Sequence, residues 1–140
     1  MTVRPRRRAT RLLRLLYVWG PVAAVMAGIF VVSGSSSPPR LPAPVSDAMA
    51  HAAAYAVLGA LLLRAVAGAD WSRITAGGVL LAFVLAVSYG LTDEFHQSFV
   101  PGRTPELRDL AADALGAAAG ALLAWAWGIV LAVRARRHAG

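Results

Sequence analysis

Four apolar stretches, at 15–32, 48–67, 74–91 and 110–133, dominate this chain of 140 residues. A helix rises about 1.5 Å per residue, so each stretch can cross about 30 Å of hydrocarbon. Inside a bilayer every backbone N–H and C=O must find a partner within the protein. Four separate runs of this length therefore call for helices rather than strands. The expected fold is all-α: a polytopic membrane protein built as a four-transmembrane-helix bundle. A content of 58% hydrophobic and 15% charged residues agrees, being too apolar for an ordinary soluble domain. The length suits one domain.

The connections sharpen this picture. Between the first two spans lies SGSSSPPRLPAPVSD, whose Ser and Pro content excludes a helix interior. AGADWSR joins the second and third spans, a connection short enough for an antiparallel helical hairpin. All 14 basic residues are Arg and there is no Cys, so lysine Schiff bases, P-loop lysines, disulfides and thiol chemistry are excluded.

A net charge of +7 would suit nucleic acid, but the arginines flank apolar spans as topology determinants do, and no nucleic-acid partner is expected. Arg4, Arg6, Arg7, Arg8, Arg11 and Arg14 precede the first span, Arg64 and Arg73 flank the second connection, and Arg134, Arg136 and Arg137 follow the last span. Only Arg40, Arg103 and Arg108 fall on the other side. The positive-inside rule then predicts both termini in the cytoplasm, N-in and C-in. The organisation reads as a basic cytoplasmic segment (1–14), a transmembrane domain (15–133) and a basic cytoplasmic tail (134–140). A cleaved signal peptide is the alternative reading of the first span; its apolar run is longer than usual and lacks an A-x-A site.

Candidate chemistry gathers at one end. Segment 92–113, TDEFHQSFVPGRTPELRDLAAD, holds five of the seven acidic residues. Acids beside hydrocarbon are costly to desolvate and usually have a specific role. Asp93 and Gln97 are four apart, so both can face one partner while the helix persists. Phe95 and Phe99 share that spacing and suit an apolar interfacial pair. Pro101-Gly102 then favours a turn. Arg103 can grip a phosphate or carboxylate bidentately, or form a structural salt bridge to Asp93, Glu94 or Asp109. Glu106 and Arg108 read as solvated loop charges, and nothing local fixes a role for His96.

Asp109, Asp113, Gly116 and Gly120 keep to one face of the last span. Gly116-xxx-Gly120 is a close-packing motif for membrane helices. Asp109 can complement the helix dipole. Asp113 lies a turn deeper and requires a proton, an Arg or His partner, or a water-filled cleft. At the start of the second span Asp47, His51 and Tyr55 follow at i, i+4 and i+8, one helical face. The bland reading is a cap, an interior His and an interfacial Tyr; the three together favour a bundle-facing site.

These two blocks resemble VanZ-like membrane proteins. Such proteins show an acid four before a His and a Tyr four after it, matched here by Asp47, His51 and Tyr55. They then show D-E-x-x-Q-x-F-x-P-G-R, matched by Asp93, Glu94, Gln97, Phe99, Pro101, Gly102 and Arg103. An Asp follows, then an Asn and small residues opening the last span. Here these are Asp109, Asp113, Gly116 and Gly120, with Asp113 standing where the pattern has Asn. The resemblance covers about 45–127. It implies a polytopic protein of the bacterial cytoplasmic membrane, linked in the namesake to resistance to the glycopeptide teicoplanin.

The ligand-binding candidates are Asp47, His51, Tyr55, Asp93, Glu94, Gln97, Arg103, Asp109 and Asp113. Three readings compete. In the first, an outward-facing site engages membrane lipids, a lipid-linked envelope precursor or a glycopeptide. In the second, a membrane-embedded enzyme uses His51 as acid or base, Asp47 to orient it, and Asp93 or Glu94 as a second acid/base; His51 with several carboxylates binding a divalent cation is a variant. In the third, a small proton-coupled transporter runs through Asp113, His51 and Asp109 and requires a homo-oligomer. No catalytic group is assigned. No H-E-x-x-H signature is present, so no metal site is assigned and no cofactor is expected.

Overall fold

The polar residues that punctuate the apolar runs cap the helices between them. The computed structural model describes residues 5–37, 42 and 44–139. Its elements are α1 (Pro5–Ser33), α2 (Asp47–Val66), a single 3₁₀ turn (Trp71–Arg73), α3 (Ala76–Gln97) and α4 (Leu107–Ala139). Ser46 caps α2, its Oγ accepting from the Met49 amide at 3.3 Å, and Thr75 caps α3, its Oγ1 accepting from the Gly78 amide at 3.1 Å. Asp70 caps the 3₁₀ turn, accepting from the amide and the hydroxyl of Ser72 at 3.0 and 2.6 Å. Those two bonds hold its carboxyl below the ordinary carboxylate range.

Among the described residues no strand is present, and all four α-helices are long and apolar enough to cross a membrane. The third reaches further than its apolar run: α3 carries Asp93, Glu94 and Gln97 inside its last turns. The outer helices also run past the apolar boundaries, into the basic segment at one end of the chain and the basic tail at the other. Arg4 and Arg40, and the side chains of Arg6, Arg7 and Arg8, on which the orientation argument drew, lie outside the described residues.

The helices alternate in direction. Arg64, near the end of α2, donates from Nη1 to the Tyr17 carbonyl at 3.2 Å and lies 4.6 Å from the Tyr17 ring centroid. That carbonyl is available because Pro21, four residues on, has no N–H to bond it. The first part of α1 and the last part of α2 therefore share one end of the bundle. The 3₁₀ turn packs beside Gly128 of α4 at that end. The opposite end collects the C-termini of α1 and α3 and the N-termini of α2 and α4.

The closest packing is between α2 and α4. A Cβ at Gly116 would collide with the Ala52 backbone, one at Gly120 with that of Ala56, and one at Gly59 with that of Ala117. Three interlocking small-residue contacts let the two backbones touch, as the Gly116-xxx-Gly120 motif predicts. Around that seam lies a core of Tyr55, Leu58, Leu63, Ala82, Ala86, Ala117 and Ala121. Leu80, Val84, Leu115 and Leu123 point outward. Such a continuous apolar exterior suits lipid rather than water.

Candidate functional site

Where the four helix ends meet, the polar side chains turn inward. His51 sits at the second turn of α2 and Asp113 at the second turn of α4. The seam between these helices brings Nδ1 of His51 within 2.9 Å of Oδ1 of Asp113. Asp113 is fully buried and His51 half-buried. This contact satisfies the requirement the sequence set for Asp113: a carboxylate at membrane depth has an imidazole partner. Against an ionised carboxylate, Nδ1–H of His51 is the donor.

Asp93 is held from two sides. Ser33 Oγ, on the last residue of α1, donates to its Oδ1 at 2.5 Å, and Gln97 Nε2 donates to its Oδ2 at 3.1 Å. The second bond is the i, i+4 pairing expected on a persisting helix. Glu94 points to α4 instead, its Oε2 accepting from the Glu106 amide at 3.0 Å. Its other oxygen, Oε1, is buried with no hydrogen-bond partner among the described residues, as are Asp113 Oδ2 and the Tyr55 hydroxyl.

The connection from α3 to α4 explains where Arg103 goes. Val100 to Arg103 form a type II turn, with Pro101 in its second position, Gly102 at φ 81° in its third, and the Arg103 amide donating to the Val100 carbonyl at 3.1 Å. Only glycine takes that φ without strain. The turn aims Arg103 at the end of α1, and Nε donates to the Ser35 carbonyl at 3.3 Å. The salt bridge expected to Asp93, Glu94 or Asp109 is not formed: among the described residues no carboxylate lies within ion-pair distance of Arg103. His96, left without a role by its sequence context, stacks on Phe30 of α1 with ring centroids 4.1 Å apart. Phe95 and Phe99 pair edge-to-face at 5.0 Å, both exposed on the outside.

Not every candidate joins the cluster. His51, Tyr55, Asp93, Glu94, Gln97 and Asp113 face the interior, but Asp47 is exposed in the first turn of α2. The expectation that Asp47 orients His51 is corrected, because Asp113 does so from another helix. Asp47 shares an open groove with Glu106, Arg108 and Asp109 at the water-facing rim. Asp109, half-buried in the first turn of α4, is placed to complement the helix dipole. Two residues that the sequence reading did not single out contribute: Ser33, and Tyr89, whose hydroxyl donates to the Met26 carbonyl at 2.6 Å. Both tie α1 to α3. The available signals were a hydroxyl closing the first apolar run and a Tyr one turn before Asp93.

Beside this cluster a cavity of about 410 Å³ opens between α1 and α2. Val25, Ile29 and Val57 form its apolar walls, while His51, Asp93 and Arg103 stand at the end nearest the loops. An apolar chamber with a few convergent polar groups is the usual form of a small-molecule site.

Four membrane-length helices closing on a buried His–carboxylate cluster define a polytopic helical membrane protein. The chain belongs to the VanZ/LLP1 family, whose model matches residues 10–131. No curated protein matches the chain significantly, and no solved structure does.

Proposed function

We propose that this VanZ-family membrane protein binds an amphiphile of the cell envelope, a lipid-linked precursor or a lipid with an anionic headgroup. The hydrocarbon chain lies between α1 and α2, and the headgroup meets the polar end of the cavity. The division of that cavity carries the reading. Val25, Ile29 and Val57 offer an alkyl chain no polar partner, while His51 and Arg103 sit where a phosphate or carboxylate would emerge. The Nε of Arg103 is engaged by Ser35, which leaves the terminal amino groups of the guanidinium to grip an anion. The arginine distribution supports an N-in, C-in orientation with this site on the outer face of the bacterial cytoplasmic membrane. Glycopeptide resistance belongs to the family's namesake and is proposed here only as an effect of occupying this site.

The direct test is native mass spectrometry of detergent-purified protein titrated with a polyprenyl phosphate and with an uncharged polyprenol. The phosphate should bind more tightly, and Arg103→Ala should erase the difference. A variant that still prefers the phosphate as strongly as the wild type would remove Arg103 from the account.

The His51–Asp113 contact favours a second reading, a membrane-embedded acid/base enzyme acting on an envelope lipid. An imidazole oriented by a buried carboxylate is the arrangement a general base uses. Turnover of an envelope lipid that stops in His51→Gln would support it; intact lipid after prolonged incubation would count against it.

A further inference from the structure

The bond between His51 and Asp113 leaves an unusual residue of polarity behind it. One donor atom each from His51, Glu94 and Asp113 can be chosen so that all three lie within 4.8 Å of one another. They come from three helices, α2, α3 and α4, so their convergence is a property of the fold and not of one sequence motif. Asp113 is 0% exposed and Glu94 9% exposed, and each keeps one buried carboxylate oxygen without a partner, Oδ2 and Oε1. Buried polar atoms left in this state are rare because each costs about 1–3 kcal/mol. Two such atoms on carboxylates of one cluster call for a common partner.

We propose that His51, Glu94 and Asp113 form a binding site for a first-row divalent cation, zinc or manganese. One imidazole and two carboxylates make a mixed nitrogen–oxygen donor set that suits these ions. Three protein ligands leave a further coordination position open, as in catalytic rather than structural sites. Bonds of roughly 2.1 Å place neighbouring ligands about 3.4 Å apart in a tetrahedral site, so donor atoms within 4.8 Å need only modest closure. The ion would take the place of the Nδ1 proton of His51, with Asp113 offering Oδ2 and Glu94 offering Oε1 while its Oε2 stays on the Glu106 amide. Gly90 makes the room: a Cβ there would stand 3.1 Å from Asp113 Oδ2 and 3.4 Å from Tyr55 Cε1. The Tyr55 ring borders the same space, and its hydroxyl is buried without a partner. Two carboxylates beside a neutral imidazole carry two negative charges, which a divalent ion cancels within the bilayer depth.

Metal binding can be read apart from lipid binding through Glu94 and Asp113, which do not line the cavity. Its test uses the whole chain purified in detergent, freed of any affinity tag and stripped with a chelator. Zinc, manganese and magnesium are titrated separately by calorimetry, and bound metal is counted by elemental mass spectrometry. The expected result is about one zinc or manganese per chain, with magnesium much weaker. Glu94→Gln, nearly isosteric and still able to accept from the Glu106 amide, should weaken binding at least tenfold, the order of loss that removal of even an outer partner produces. His51→Gln and Asp113→Asn should do the same, whereas Asp47→Asn and Arg108→Gln at the exposed rim should leave affinity unchanged. A stripped wild-type protein that takes up no metal would overturn the proposal. So would binding that survives Glu94→Gln and disappears with the rim variants.

Discussion

His51 of α2 and Asp113 of α4 meet at 2.9 Å in the part of the bundle where α2 and α4 pack most closely. Removing one member of a buried pair strands the other, at a cost of about 3–5 kcal/mol. His51→Ala should therefore lower stability by that order in a detergent unfolding titration. Asp113→Asn keeps an acceptor for the imidazole without the charge and should cost less than about 1.5 kcal/mol. The double variant should recover part of the loss seen in His51→Ala, since no carboxylate is then stranded. Strictly additive losses would show that the two side chains do not interact.

The glycines separate two kinds of position. Gly120 has the Ala56 backbone where its Cβ would stand, whereas Gly20 has nothing within 4 Å. Gly120→Val should force α4 off α2, costing roughly 1–3 kcal/mol or more by overpacking. Gly20→Ala should leave the protein as stable or up to about 1 kcal/mol more so, from helix propensity alone. Melting temperatures of the two purified variants, compared with wild type, check both directions.

Ser33 fastens the end of α1 through Asp93. Ser33→Ala removes a donor from a buried carboxylate and should cost about 1–3 kcal/mol. The effect should be local: hydrogen exchange should quicken in the last turns of α1 and stay unchanged along the α2–α4 seam. Uniform quickening along all four helices would mean that Ser33 does not act as a local fastening.

Much of this architecture is legible in the sequence. The four apolar runs give four helices, Asp93 and Gln97 bond at their i, i+4 spacing, and the Gly116–Gly120 motif marks the closest helix contact. The choice of partner for His51 is not legible. Spacing within α2 favours Asp47, but a residue in the first turn faces the rim, while helix seams admit a carboxylate from another element. Only the depth to which Gly116 and Gly120 let α4 sink against α2 decides that Asp113 reaches the imidazole. The direction of Arg103 is not legible either, because the type II turn and not the charge pattern sets it. An amide at position 113 could neither carry the charge that pairs with His51 nor offer two carboxylate oxygens.

The absence of cysteine makes orientation straightforward to test. A single cysteine at Thr104, in the connection after Arg103, should react with an impermeant maleimide added to intact cells. One at Ser72, in the 3₁₀ turn at the opposite end, should react only after the membrane is opened. The reverse pattern would place the cluster on the cytoplasmic side.

The amphiphile cavity is tested most directly by photo-crosslinking. A polyprenyl phosphate carrying a diazirine in its chain is mixed with the purified protein, irradiated, and the adducts are mapped by peptide mass spectrometry. Labelling should concentrate on the cavity walls at Ile29 and Val57, saturate, and fall when unlabelled polyprenyl phosphate competes. Labelling spread evenly over the outward-facing Leu80 and Leu123, without saturation or competition, would contradict the account.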